Sequence, residues 1–125
     1  MPSIMIVDDV ATIRHIVTAV FDSVGYKVIE ASSGEQAIAI AAGRRVHLVL
    51  ADVNMPGMSG LDLIAALREL KAYRSTPIVI LAKGGKDENI QRAEKLGANG
   101  WIEKPFTPER LLSTVNQVLI DHYVN

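Results

Sequence analysis

Residues 48–60 read Leu-Val-Leu-Ala-Asp-Val-Asn-Met-Pro-Gly-Met-Ser-Gly. Leu48 to Val53 is a nearly continuous apolar run, interrupted only by Asp52. A run that is apolar at every position, and not at alternate ones, predicts a strand covered on both faces, as in a parallel sheet. Met55 to Gly60 contains Pro56, Gly57 and Gly60, so the chain leaves that strand through a loop. Asp52 therefore stands where a buried strand gives way to a loop, a setting in which a carboxylate needs a partner.

The flanking sequence repeats the theme. Upstream, Ser3 to Val7 is a short apolar run that ends at Asp8 and Asp9. Ile13, Ile16, Val17, Val20, Phe21 and Val24 then fall on one face of a helix, and Gly25 sits where a C-terminal cap belongs. Lys27 to Ala31 reads as a strand. Ser33 to Gln36 has the spacing of a capping box and opens a second helix, which Gly43 ends. Ala37 to Ala42 alternates Ala and Ile and is compatible with a strand, but the cap and the alanines favour helix.

Downstream, Leu61 to Leu70 is a third helix and Pro77 to Leu81 a second covered strand. Gly84 and Gly85 mark a loop, and Glu88 to Leu96 a fourth helix stopped by Gly97. Gly100 to Glu103 is a short strand followed by Lys104-Pro105. Thr107 caps the last helix with Pro108 at its first position, and its core stripe is Leu111, Val115, Val118, Leu119 and His122. Five strands alternating with five helices predict an α/β domain with a mainly parallel sheet and right-handed crossovers. Residues 1–125 are expected to form one domain with no output domain beside it.

Composition narrows the function. Thirteen basic residues against fourteen acidic ones leave a net charge of −1, which argues against a nucleic-acid partner. The absence of cysteine excludes disulfides, thiolate metal sites and cysteine nucleophiles, and fits a reducing compartment. An apolar content of 49% excludes disorder. The longest apolar run, Ala37 to Ala42, is too short to enter a membrane, and Met1 to Ser3 does not open a secretory signal. A cytoplasmic location is expected.

In an open parallel sheet, ligands bind beyond the carboxyl ends of the strands. The chain places Asp8 and Asp9 after the first strand, Asp52 at the end of the third, Ala82 and Lys83 after the fourth and Lys104 after the fifth. A single strand-end Asp is often only a turn former or helix cap, and Asp9 is placed to cap the first helix. Three such acids at one edge carry more charge than one lysine offsets. Oxygen ligands of this kind suit a hard divalent cation, Mg2+, which also binds phosphate oxygens. That points to phosphoryl chemistry, in which an Asp can become an aspartyl phosphate. Asp52, alone at its strand end, is the candidate acceptor. Asp8 and Asp9 are a pair suited to the metal, and Lys104 is a point charge for phosphoryl oxygens. Like-charge repulsion predicts a raised pKa for at least one acid, so Asp52→Asn is expected to raise the melting temperature in metal-free buffer. His15, His47 and His122 lack partners at metal-ligand spacing. Lys86, Arg92 and Lys95 read as a solvated face of the fourth helix.

The segments "IVDD", "LVLADVNMPGMSG" and "GWIEKPF" resemble the receiver domain of two-component response regulators, over essentially the whole chain. The resemblance implies a flavodoxin-like (βα)5 doubly wound sheet with strand order 2-1-3-4-5 and a cis Lys104-Pro105 bond. It implies phosphorelay signal transduction in which a histidine kinase or phosphotransfer protein phosphorylates Asp52. It implies Mg2+ held by Asp8, Asp9, Asp52 and the backbone carbonyl of Asn54, with Lys104 on the phosphoryl group. Such a phosphoprotein is not an enzyme beyond slow self-dephosphorylation. The "KAYRSTPIVIL" stretch resembles stand-alone chemotaxis regulators of the CheY type, which implies a downstream protein target such as a flagellar motor switch component.

One position departs from the family. The fourth strand usually ends in Thr or Ser and then a small residue; here those places hold Ala82 and Lys83. The hydroxyl that would bind the phosphoryl group is missing, while its aromatic partner falls at Trp101. A degenerate receiver that binds proteins without phosphorylation is therefore an alternative. An aspartate-based phosphatase would need a general acid at Asn54, which cannot serve. A flavodoxin-like cofactor site would need Gly, Ser or Thr where Asp8 and Asp9 stand.

Overall fold

The computed structural model describes residues 2–84 and 87–124. Met1, Gly85, Lys86 and Asn125 lie outside the described residues, and with them the second glycine of the Gly84-Gly85 loop and one lysine assigned to the fourth-helix face. The chain runs β1 (Ser3–Val7), α1 (Ala11–Ser23), β2 (Lys27–Ala31), α2 (Gly34–Gly43), β3 (Leu48–Asp52), α3 (Gly60–Glu69), a 3-10 turn (Lys71–Tyr73), β4 (Ile78–Ala82), α4 (Glu88–Leu96), β5 (Gly100–Glu103) and α5 (Pro108–Tyr123). The strands form one parallel sheet in the order β2-β1-β3-β4-β5.

Strand side chains point to alternate faces, so each continuous apolar run divides between two cores. Met5, Val7, Val49, Ala51, Ile78 and Ile80 pack with Ala37 and Ala41 of α2, Leu63, Ile64 and Leu67 of α3, and Ile90 and Ala93 of α4. Ile4, Ile6, Leu48, Leu50, Val79 and Leu81 pack with Val17 and Phe21 of α1 and Leu111 and Val115 of α5. The central strands β1, β3 and β4 had to be apolar throughout because helices cover both sides. The edge strand β5 does not, and Trp101 and Glu103 on it are exposed.

Local signals set the helix ends. Ser33, Asp87 and Thr107 accept hydrogen bonds from the first turns of α2, α4 and α5. Gly97 ends α4 in the left-handed region at φ 108°, where a side chain would be strained. The reciprocal half of the α2 capping box is shifted by one residue: the Gln36 side chain accepts from Ser32, not Ser33.

Several boundaries move. β3 ends at Asp52 and not Val53, α3 runs from Gly60 to Glu69, and β4 runs from Ile78 to Ala82. The stripe of α1 is narrower than its periodicity implies: Ile16 and Val24 are 55% and 48% exposed. Val17 and Phe21 are fully buried against the sheet, Ile13 and Val20 pack against the same core in part, and residues at the margin of the arc stay wet. At the edge of the sheet where β4 begins, Arg68 donates to the carbonyls of Tyr73, Thr76 and Gly97 and ties three loops together.

Register builds the other edge. Val7 pairs with Ala51, so Asp8 and Asp52 follow on adjacent strands. Asp52 pairs with Leu81 and Ala82 with Glu103, and the Lys104 N–H donates to the Ala82 carbonyl at 2.8 Å.

Candidate functional site

Asp52 is the last residue of β3 and 3% exposed. Its Oδ1 accepts the Asn54 N–H at 2.9 Å, which folds the loop back over the strand end. Its Oδ2 accepts from Lys104 Nζ at 2.6 Å. Gly60 lets that loop close: a Cβ there would lie 2.6 Å from the Asp52 carbonyl oxygen and from Val53 Cα. The Lys104-Pro105 bond is cis.

Asp8, Asp9 and Asp52 each bring a carboxylate oxygen within 4.8 Å of the others. Asp8 is 1% exposed and Asp9 is exposed. Asp8 Oδ1 accepts the Val10 N–H at 2.9 Å, so Asp8, and not Asp9, touches the start of α1, where Val10 makes no side-chain cap. Asp8 Oδ2 is buried and has no hydrogen-bond partner among the described residues. Burial first, then the charges of Asp52 and Asp9, push the Asp8 carboxyl above its ordinary range, against the pull of the Val10 N–H and Lys104. The raised acid expected from the clustering is therefore Asp8, and desolvation outweighs like-charge repulsion as its cause.

The arrangement suits a divalent cation. Three carboxylates against one ammonium leave two uncompensated negative charges, and a buried carboxylate oxygen without a partner costs roughly 1–3 kcal/mol or more. All the protein donors are oxygens, which favours Mg2+ over softer metals.

The other predicted residues make no hydrogen bond to the three acids among the described residues. Ala82 is fully buried and packs in the core with Ile80, Ile90 and Ala93. Lys83 is exposed and lines a cleft of about 360 Å³ with Asn54, Gly84, Asp87 and Asn89, which adjoins the site through Asn54. Trp101 sits on the outer strand, 36% exposed, paired in register with Ile80. The three histidines stay outside the cluster: His47 Nδ1 accepts the Ser3 N–H at 3.0 Å, His15 Nε2 lies 3.7 Å from Glu30, and His122 meets the Tyr123 ring edge to face.

One neighbour escaped the sequence reading. Arg14, on the first turn of α1, donates to the main-chain carbonyl of Asp8 and to Glu30 of β2. Its only sequence signal is a basic residue soon after a paired acid, which is common on helix surfaces.

The profile of the response regulator receiver domain matches residues 4–116. The chain belongs to the receiver domain family. This receiver is 35% identical over 116 residues to the probable chemotaxis protein CheY of Rhizobium etli, covering 92% of this chain and 90% of that one. It is 38% identical over 118 residues to the phosphate regulon transcriptional regulatory protein PhoB of Pseudomonas aeruginosa, covering 94% of this chain. The receiver spans about half, 51%, of that relative's length. Among solved structures, the chemotaxis protein CheY4 of Vibrio cholerae superposes with a TM-score of 0.91 at 38% identity, over 94% of this chain and 98% of that one. The flavodoxin-like fold and the two-component, CheY-like character of this receiver are thereby established. Phosphorylation and an acidic Mg2+ pocket are general to the family. No helix among the described residues is long and apolar enough to cross a membrane.

Proposed function

We propose that this receiver takes a phosphoryl group onto Asp52 from the phosphohistidine of a histidine kinase or phosphotransfer protein, with Mg2+, and passes the signal on by docking a protein. The observation that carries this reading is the setting of Asp52: a buried carboxylate held at a strand end, 2.6 Å from Lys104 Nζ, with two further acids in reach. In the transfer, an Asp52 oxygen forms a bond to phosphorus, the phosphorus–nitrogen bond breaks, and its electron pair returns to the imidazole ring. Lys104 is freed from Asp52 to hold the phosphoryl oxygens as a point charge. Asp8, Asp9, Asp52 and the Asn54 carbonyl would hold the metal, which would supply the partner that the buried Asp8 Oδ2 lacks among the described residues. When bound there, Mg2+ would supply charge neutralisation for the transferring group.

Trp101 is exposed beside a cleft of about 480 Å³ lined with Phe106 and Arg110, and we assign the outward face of α4, β5 and α5 as the docking surface. The target is a protein, such as a flagellar motor switch component, given the chemotaxis relatives; the net charge of −1 gives no support to DNA. A cytoplasmic location fits the cysteine-free composition.

A second reading rests on Ala82. Its methyl group is buried in the core and offers no hydroxyl to a phosphoryl group. A receiver lacking that contact would dock its partner regardless of phosphorylation.

The deciding experiment is incubation with a small phosphodonor and Mg2+, followed by intact-mass measurement. One phosphoryl group is expected on the chain and none on Asp52→Asn. A full mass gain in the variant would place the acceptor elsewhere, and no gain in either would leave the phosphorylation-independent reading.

A further inference from the structure

The geometry points to Arg14 as a positioning residue for the acid pair Asp8-Asp9, acting on the main chain and not through its charge. This rests on the metal reading above and adds to it a residue outside the ligand set.

Asp8 follows the last residue of β1. Its N–H still belongs to the sheet and donates to the Ala31 carbonyl at 3.1 Å. Its carbonyl has passed the end of the ladder, and an open strand end leaves such a group to water. Here Arg14 Nη1 reaches back from α1 and donates to it at 2.8 Å. The peptide plane between Asp8 and Asp9 is therefore held through its carbonyl. That matters for Asp9, whose exposed carboxylate makes no hydrogen bond among the described residues. Its direction toward Asp8 and Asp52 is inherited from the backbone that Arg14 fixes.

The guanidinium is itself pinned. Its side chain is 14% exposed, and Nε donates to Glu30 Oε1 at 3.0 Å. Glu30 stands on β2 in register with Ile6, so the anchor belongs to the sheet and not to a loop. One planar group thus joins three elements: α1, which carries it, β2, which orients it, and the β1 end, which it holds. Arg14 reaches the two acceptors from two different nitrogens, Nε and Nη1, a spread that the single nitrogen of a lysine does not offer.

The two ways in which Arg14 can act on a bound cation have opposite signs. As a nearby positive charge it would repel Mg2+, and its removal would tighten binding. As a support for the acid pair, its removal loosens the site and weakens binding, by about 10-fold or more for groups that orient ligands. The test is a Mg2+ titration by isothermal calorimetry on the full chain and on Arg14→Ala, Arg14→Lys, Glu30→Gln and Asp9→Asn. Urea unfolding in EDTA runs in parallel. Arg14→Ala and Arg14→Lys are both expected to weaken Mg2+ binding about 10-fold. Glu30→Gln keeps the bond to the Asp8 carbonyl and should lose only a few-fold. If Arg14→Ala does not fold, Arg14→Lys carries the test, since it keeps the charge and the stem. Unchanged or tighter binding in Arg14→Lys, with Asp9→Asn impaired, overturns the assignment and leaves the metal site standing. Absence of Mg2+ binding by the unsubstituted chain overturns both.

Discussion

Asp8→Asn should make the metal-free protein more stable. Asp8 Oδ1 is satisfied by Val10, while Oδ2 is buried without a donor among the described residues. In the unfolded chain the carboxyl ionises near 3.8. In the folded protein it ionises at higher pH, chiefly because it is buried. Between those two values the folded chain holds a proton that the unfolded chain has released, so stability falls as pH rises through the window. Above it the penalty is present in full if no cation is bound. Asparagine keeps the acceptor toward Val10 and turns a donor toward the acids of Asp9 and Asp52. A buried group left without its partner costs roughly 1–3 kcal/mol. Unfolding entropy of about 2.1 cal/mol/K per residue gives about 0.26 kcal/mol/K for this chain of 125 residues, or about 4 °C per kcal/mol. The expected rise is therefore about 4–12 °C in EDTA at neutral pH, shrinking as the buffer approaches pH 4. Circular dichroism melting with and without millimolar Mg2+ reads it. Mg2+ at about a hundred times its dissociation constant should stabilise the unsubstituted chain by roughly 2.7 kcal/mol and the variant by much less. From sequence, Asp52→Asn is expected to raise the melting temperature in metal-free buffer. The structure gives that acid its own cation, Lys104, so Asp52→Asn breaks an ion pair and should gain less than Asp8→Asn. A melting temperature for Asp8→Asn at or below that of the unsubstituted chain in EDTA would refute this account of the cluster.

Lys104→Ala should slow phosphorylation by a small phosphodonor, since a hydrogen bond to a charged group is worth roughly 1.5–3 kcal/mol, or about ten- to a hundredfold; mass spectrometry against time reads the rate, and an unchanged rate would remove Lys104 from the chemistry. Ala82→Thr should restore a phosphoryl-dependent response at Trp101, visible as a fluorescence change with a stable phosphoryl mimic, in a protein that otherwise responds weakly. The variant Lys83→Ala separates any contribution from the neighbouring lysine; a large response in the unsubstituted chain would show that the missing hydroxyl is dispensable. Gly60→Ala places a methyl group 2.6 Å from backbone atoms of Asp52 and Val53, and the resulting shift should destabilise by about 1–3 kcal/mol and impair phosphorylation, both measurable on one preparation.

Much of this receiver is written in short stretches of its chain. Leu48 to Ala51 and Ile78 to Leu81 are apolar at every position because two cores claim alternate side chains, and that alone implies a sheet covered on both faces. Thr107-Pro108 and Gly97 mark helix ends through backbone geometry within a turn of themselves. The acids at strand ends are likewise visible, since a parallel sheet sends all its strand ends to one edge. The placing of β1 between β2 and β3 follows in sequence only from family resemblance, and the exposure of Ile16 depends on how broadly α1 meets the sheet. The division of charge within the cluster is also tertiary. Lys104 lies 52 residues from Asp52, and its ammonium reaches that carboxylate and not Asp8, because β5 lies beyond β4 on the far side of β3 from β1. Arg14 has no visible role until Glu30, on another strand, turns its guanidinium toward the Asp8 carbonyl. Periodicity and turn chemistry act over a few residues and can be read along the chain; which acid receives a cation and which is left bare depends on distances across the sheet, and only the folded register sets those.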